Sequence, residues 1–186
     1  MSTHGGTTPS AWVVRFASLL PAGARVLDLA CGRGRHARFL AERGCHVIAA
    51  DRDEAALEVM SEVPGVVTCH LDLEDGSAWP WDKDAFDAVV VSNYLFRPAF
   101  AQLCDRVAPE GLLIYETFMV GNERFGRPTN PDFLLQPGEL LARTADRFTP
   151  IAFEQGTIGE PPLAAVQRLC ARKGTGPGHV PPASVL

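Results

Sequence analysis

The sequence predicts an α/β fold: a doubly wound, mostly parallel sheet that ends in a C-terminal antiparallel hairpin. Three observations predict it. From residue 25 to residue 117, short apolar runs alternate with helix-length segments. Strands that alternate with helices build a parallel sheet covered on both faces. A glycine turn follows the first apolar run, and Asp51, Asp72 and Asn93 stand at the ends of the next three. Two further apolar runs, 148–153 and 166–171, are joined by a short Gly/Pro loop, and a short connection requires antiparallel pairing.

The elements follow in order. Ser10 can cap a helix to Leu20, with Trp12, Phe16, Leu19 and Leu20 on one face, and Pro21-Ala22-Gly23 stops it. The first strand covers 25–30, the glycine turn 31–34, and a helix 35–43 that stops at Gly44. A second strand, 45–50, delivers Asp51. Asp53 caps a helix to Val63, which Pro64-Gly65 ends. The third strand is 66–71 and a polar loop with Trp79 and Trp81 follows, the tryptophans packing at the edge. The fourth strand, 86–92, contains three consecutive valines, as in strands buried on both faces. A helix at 98–107, a fifth strand at 112–117 and a helix at 138–145 complete the series before the hairpin. Between the last two lies a connection, 118–137, rich in Gly, Asn, Arg, Pro and Phe; ordered loops of that length are usually functional or mobile.

The length of 186 residues suits one domain, expected over 10–173, after a flexible arm at 1–9 and before a disordered Gly/Pro-rich tail at 174–186. The net charge of −5 lacks the footprint of a nucleic-acid binder, and it argues against anionic membranes. Cys31, Cys45, Cys69, Cys104 and Cys170 have no metal-type spacing and read as buried thiols of a reducing compartment. No signal peptide or spanning run is evident, so a cytoplasmic enzyme without a metal, monomeric or homodimeric, is expected.

In sheets of this kind ligands bind beyond the carboxyl ends of the strands. That places Ala30 to Gly34, Asp51, Asp72, Asn93 and Thr117 on one rim. Gly32 and Gly34 permit a sharp turn and close backbone approach. Asp51, about 20 residues on, suits ribose hydroxyls. Gly32 to Ala37 also reads as the dinucleotide fingerprint GxGxxA, so NAD(P) and S-adenosylmethionine (SAM) both fit. Asp28 separates them. A carboxylate just before the glycines repels a pyrophosphate but attracts an ammonium. SAM carries an ammonium and no phosphate.

The stretch VLDLACGRGRH, residues 26–36, resembles motif I of the Rossmann-like (class I) SAM-dependent methyltransferases, with Ala30 where glycine is usual. VIAADRD resembles their second motif, HLDLED the next, and FDAVVVSNYL the fourth. The resemblance spans residues 25–173 and implies a Rossmann-like fold with SAM as cofactor and S-adenosylhomocysteine as product. It implies cofactor contacts from Asp28, Ala30, Gly32, Gly34, Arg35, Asp51, Arg52, Asp72, Leu73 and Asn93. A narrower likeness to the tellurite-resistance methyltransferases rests on Gly34-Arg35, Phe133, Gly138-Glu139-Leu140 and Ala171-Arg172-Lys173.

Asn93 is not followed by the prolines of nucleobase and amide methyltransferases, which argues against those acceptors. Tyr94, Glu116, Arg124 and Arg127 are the candidate substrate residues, the arginines suiting an anion. His36 reads equally as a packed residue or a substrate contact. The expected function is methyl transfer to a small, anionic or soft acceptor such as an oxyanion or thiol. The rivals are an NAD(P)-dependent oxidoreductase and a non-catalytic SAM-binding protein.

Overall fold

A computed structural model describes residues 7–174. The expected arm and tail lie outside the described residues, apart from residues 7–9 and Gly174. Helix α1 (Ala11–Ala17) precedes strand β1 (Arg25–Leu29), helix α2 (Arg35–Glu42), β2 (His46–Asp51), α3 (Glu54–Glu58) and β3 (Val66–His70). Strand β4 (Phe86–Ser92), α4 (Phe100–Arg106), β5 (Val107–Phe118), α5 (Glu139–Thr144), β6 (Phe148–Ile158) and β7 (Ala164–Lys173) follow.

The sheet order is β3-β2-β1-β4-β5-β7-β6. The first five strands are parallel, and β7 runs antiparallel between β5 and β6. Consecutive strands step outward from β1 to β3, and the next crossover returns to β4 on the other side of β1. The crevice for a ligand therefore opens where β1 and β4 end.

Strand periodicity splits the core into two layers. Leu113 and Tyr115 of β5 pack with Leu27, Val89, Leu103 and Leu140 on one face. Leu112 and Ile114 pack with Val26, Val90, Trp12, Phe16 and Leu40 on the other. In β4, Val89, Val90 and Val91 are all fully buried, as a central parallel strand requires.

The differences from expectation lie at element ends. Helix α1 stops at Ala17, because Leu19 and Leu20 turn with tighter bonds to Phe16 and Ala17. Helix α3 stops at Glu58, and the chain continues as tighter turns to Val63, the residue before Pro64. The fourth helical region opens with a 3-10 turn at Arg97–Ala99, and β5 begins early, at Val107. The hairpin strands extend to Ile158 and from Ala164, beyond the apolar runs. Strand β6 is a sheet edge, so its distal half needs few apolar side chains, and Glu154 and Gln155 hide it from a hydrophobicity reading.

Candidate active site

A cleft of about 1270 Å³ opens at the carboxyl ends of β1 to β4. The glycine turn, Asp51, Asp72 to Glu74 and Ser92 to Leu95 form its floor and one wall; residues of the long connection form the other.

Asp28 sits at the head of the cleft with 1% of its surface exposed. Its carboxylate accepts a hydrogen bond from the Ala37 backbone N–H and lies near the Arg35 guanidinium, yet burial dominates and pushes its pKa up to about 7. Its Oδ2 atom is sealed from solvent without a hydrogen-bond partner. A buried carboxylate oxygen in that position is incomplete until a donor reaches it from the cleft. An ammonium completes it; a phosphate does not.

The turn that follows is left-handed at Ala30 (φ +52°) and Gly32 (φ +53°). A Cβ on Gly32 would meet no protein atom within 4 Å, so Gly32 leaves its side of the cleft open. Gly34 is left-handed as well (φ +74°), as the expected sharp turn requires. It does not line the cleft, and a Cβ there would fall 1.5 Å from Met60 Sδ. Gly34 lets α2 start close against the end of α3.

Asp51 accepts from the Gly32 N–H at 2.7 Å and from the Asp53 N–H at 3.0 Å, which stitches β2 to the glycine turn. A carboxylate offers about four acceptor positions, so Asp51 retains capacity for ligand hydroxyls. Arg52 and Leu73 line the same end. Asp72 does too, with Oδ1 accepting from the Glu74 N–H at 2.9 Å. Arg35 lines the cleft and donates to Ser92 Oγ at 3.0 Å, bridging α2 to the end of β4. Asn93 adopts φ +57°, which its short polar side chain tolerates, and presents that side chain at the cleft.

Tyr94 lines the cleft, but at the Asp72 end. Its buried hydroxyl lies beside Glu74 without good hydrogen-bond geometry, and burial with the nearby Glu74 and Asp72 carboxylates raises its pKa. Arg127 reaches the cleft together with Pro128, Thr129, Asn130 and Phe133.

Two candidate substrate residues do not reach it. Glu116 points to the other side of β5 from Tyr115, where the Arg168 guanidinium holds it. It is 7% exposed and absent from the cleft wall, because strand alternation turns its side chain away. Arg124 sits exposed on a 3-10 turn and contributes nothing to the lining.

Two pairings had no signal in the sequence, although Glu139 itself stands in the Gly138-Glu139-Leu140 stretch. Arg97 grips Glu139 with two bonds, at 2.7 and 2.9 Å, and donates to the carbonyls of Asp132 and Leu134. These bonds tie the segment after β4 to the long connection and to α5. Asn122, 2% exposed, does similar work: it donates to the Pro128 carbonyl and accepts from the Ala165 N–H. Both are spatial pairings between segments more than 30 residues apart, or at a buried turn, and no local pattern announces them.

Residues 26–111 match a family described as a methyltransferase domain. Over those residues, from β1 to the start of β5, the chain is similar to methyltransferase domains. The match is to methyl transfer and not to hydride transfer, and the unpartnered carboxylate of Asp28 suits the ammonium of SAM and not the pyrophosphate of NAD(P). A demethylmenaquinone methyltransferase of Clavibacter sepedonicus is 44% identical over 75 residues, 38% of this chain and 29% of that one. One of Corynebacterium urealyticum is 31% identical over 129 residues, 67% of this chain and 51% of that one. The chain thus spans about half or less of the length of these curated relatives. Among solved structures, TehB of Haemophilus influenzae superposes with a TM-score of 0.73 at 18% identity, covering 92% of this chain and 64% of that one. A Burkholderia thailandensis 1,6-didemethyltoxoflavin-N1-methyltransferase with bound S-adenosylhomocysteine gives 0.68 at 19% identity, covering 93% and 80%. At these identities both structures show a shared fold. Among the described residues, no helix is long and apolar enough to cross a membrane.

Proposed function

We propose that this chain transfers the methyl group of SAM to a small, anionic or soft nucleophile. The observation that carries the reading is Asp28 Oδ2, a buried, unpartnered carboxylate oxygen at the head of a glycine-turn cleft. In this reading Asp28 holds the amino-acid ammonium, Asp51 the ribose, and Asp72 with Leu73 and Arg52 the adenine. Ala30 and Gly32 let the backbone approach, and Asn93 and Arg35 border the reacting end.

The bound sulfonium supplies an activated methyl group, so the protein has to orient the acceptor and exclude water. Leu95, Phe118, Pro128 and Phe133 provide an apolar acceptor wall, and Arg127 provides a cation beside it. An acceptor that is already anionic needs no general base. This fits a cleft whose acceptor wall carries a guanidinium and in which Glu116 is turned away.

A second reading takes its support from the relatives named as demethylmenaquinone methyltransferases: an aromatic quinol acceptor, laid against the same wall. The two readings share the cofactor half and differ in the acceptor.

Calorimetry with S-adenosylhomocysteine and NAD(H), then methyl-donor turnover over tellurite, selenite, thiols, small carboxylates and naphthoquinols, tests them. Micromolar S-adenosylhomocysteine binding and turnover of one acceptor class are expected. Turnover of naphthoquinol alone selects the second reading. Binding without turnover favours a non-catalytic SAM-binding protein. Absent S-adenosylhomocysteine binding, with NAD(H) bound instead, overturns both.

A further inference from the structure

His36 is the second residue of α2, 3% exposed, and part of the cleft wall. A histidine in such a cleft invites the role of general base. The geometry excludes it. Nε2 accepts a hydrogen bond from the Ser10 backbone N–H at 3.1 Å. An N–H donor can meet only a ring nitrogen that carries no proton, so the lone pair a base would use is occupied and the proton sits on Nδ1. Burial, with the Arg35 charge beside it, holds the ring's pKa down to about 3, so the neutral form persists. Among the described residues, Nδ1–H has no acceptor.

The neighbours say what it should meet. His36 lies between Arg35, whose charge acts on Asp28, and Ala37, whose N–H bonds Asp28. The orphan oxygen of Asp28 and the unpaired Nδ1–H of His36 are thus presented from adjoining positions on β1 and the first turn of α2. One wants a cation and the other an anion. An α-amino acid carries both on a single carbon.

We propose that His36 is a fixed, neutral hydrogen-bond donor to a carboxylate, the one carried by the amino-acid moiety of the cofactor. This rests on the SAM reading above. It divides that moiety between Asp28 and His36 and makes Ser10, through its backbone, the residue that sets the tautomer. Helix α1 thereby joins the site without touching the ligand.

Ring ¹⁵N NMR on the ligand-free full chain tests the tautomer independently of any ligand. A protonated Nδ1, a bare Nε2 and no titration between pH 5 and 8 are expected. A proton on Nε2, or titration near the ordinary histidine value of about 6.5, overturns the proposal. Calorimetry then tests the ligand. His36→Leu should weaken S-adenosylhomocysteine about ten- to hundredfold, the range of a hydrogen bond to a charged group. His36→Asn, whose amide N–H falls near the Nδ1 position, should recover most of that. 5′-Methylthioadenosine, which lacks the amino-acid moiety, should bind wild type and His36→Leu equally. Equal loss for both ligands overturns the assignment to the cofactor carboxylate. If wild type binds neither nucleoside, the SAM reading fails while the tautomer result still stands or falls by the NMR.

Discussion

At the scale of the residue, the cleft is built from groups held in costly states. Asp28 is the clearest. Its pKa is raised from 3.8 to about 7, chiefly by burial. A raised folded-state value means that the protonated form favours folding. That contribution is complete below pH 3.8 and is lost as the pH rises through about 7. Asp28→Asn should therefore be more stable than wild type at pH 8, with the gap closing towards pH 5, as denaturant titrations at the two pH values would read. The same variant should bind S-adenosylhomocysteine at least tenfold more weakly. Wild-type affinity should climb between pH 6 and 7.5 as the carboxylate ionises, and the Asn variant's should not. Stability and binding moving together would show that Asp28 only supports the fold. Ala30 is a smaller case. It holds φ +52°, a left-handed geometry that costs a residue with a Cβ about 1–2 kcal/mol. Ala30→Gly should stabilise the protein by about 1 kcal/mol after the entropy of the unfolded chain is counted. Loss of stability on substitution would show that the alanine methyl packs usefully. Alanine stands at this position at a modest cost in backbone strain.

At the scale of the element, the two halves of the cleft are secured differently. The half of the cleft proposed for the cofactor hangs on β1, β2 and β4, whose ladders run through the centre of the sheet. The wall proposed for the acceptor comes from the connection between β5 and α5, which has only 3-10 turns and one isolated bridge, Met119 to Leu135. Arg97 and Glu139 compensate. The pair, supported by Arg143 and the Gln136 N–H, holds the Glu139 pKa down to about 2 against its partial burial. The ion pair therefore survives across the working pH range, and its loss has to come from mutation. Arg97→Gln should speed amide hydrogen exchange in residues 128–136 by tenfold or more. Exchange in β1 and α2, and affinity for S-adenosylhomocysteine, should stay within about threefold of wild type, because no Arg97 contact reaches them. Faster exchange throughout the sheet would mean that the pair stabilises the whole fold and not the wall.

At the scale of the whole molecule, the order β3-β2-β1-β4-β5-β7-β6 sets the switch point at β1 and β4 and fixes where the ligand sits. The cleft lies between segments from residue 7 to residue 133, so a bound ligand should stabilise the folded chain as a unit. S-Adenosylhomocysteine at a hundred times its dissociation constant adds about 2.7 kcal/mol. For a chain of this size that is a rise in Tm of about 5–10 °C, given about 2–4 °C per kcal/mol. Differential scanning calorimetry should show this rise with S-adenosylhomocysteine and none with NAD. A rise with NAD alone would contradict the cofactor assignment. The sequence made the alternating elements, the hairpin, the glycine turn and the carboxylates at the strand ends legible, because each follows from local periodicity or from a backbone that needs glycine. It did so for Asp28, Asp51 and Asp72, which all meet the cleft. It misled at Glu116, since a one-residue step along a strand reverses the face and the start of β5 was not readable. It read the turn at Gly34 but not the sulfur of Met60, 26 positions away, which also leaves no room for a Cβ there. It was silent on Arg97 with Glu139, on Asn122 with Ala165, and on Ser10 with His36, all contacts between distant segments. Sequence alone therefore determined the fold class and the glycine-turn side of the cleft, where the pattern is local to one turn and the ends of neighbouring strands. Tertiary structure alone decided how the loop side of the cleft is held and which group meets His36, because those depend on which remote backbone and side-chain groups the folded sheet brings within hydrogen-bond reach.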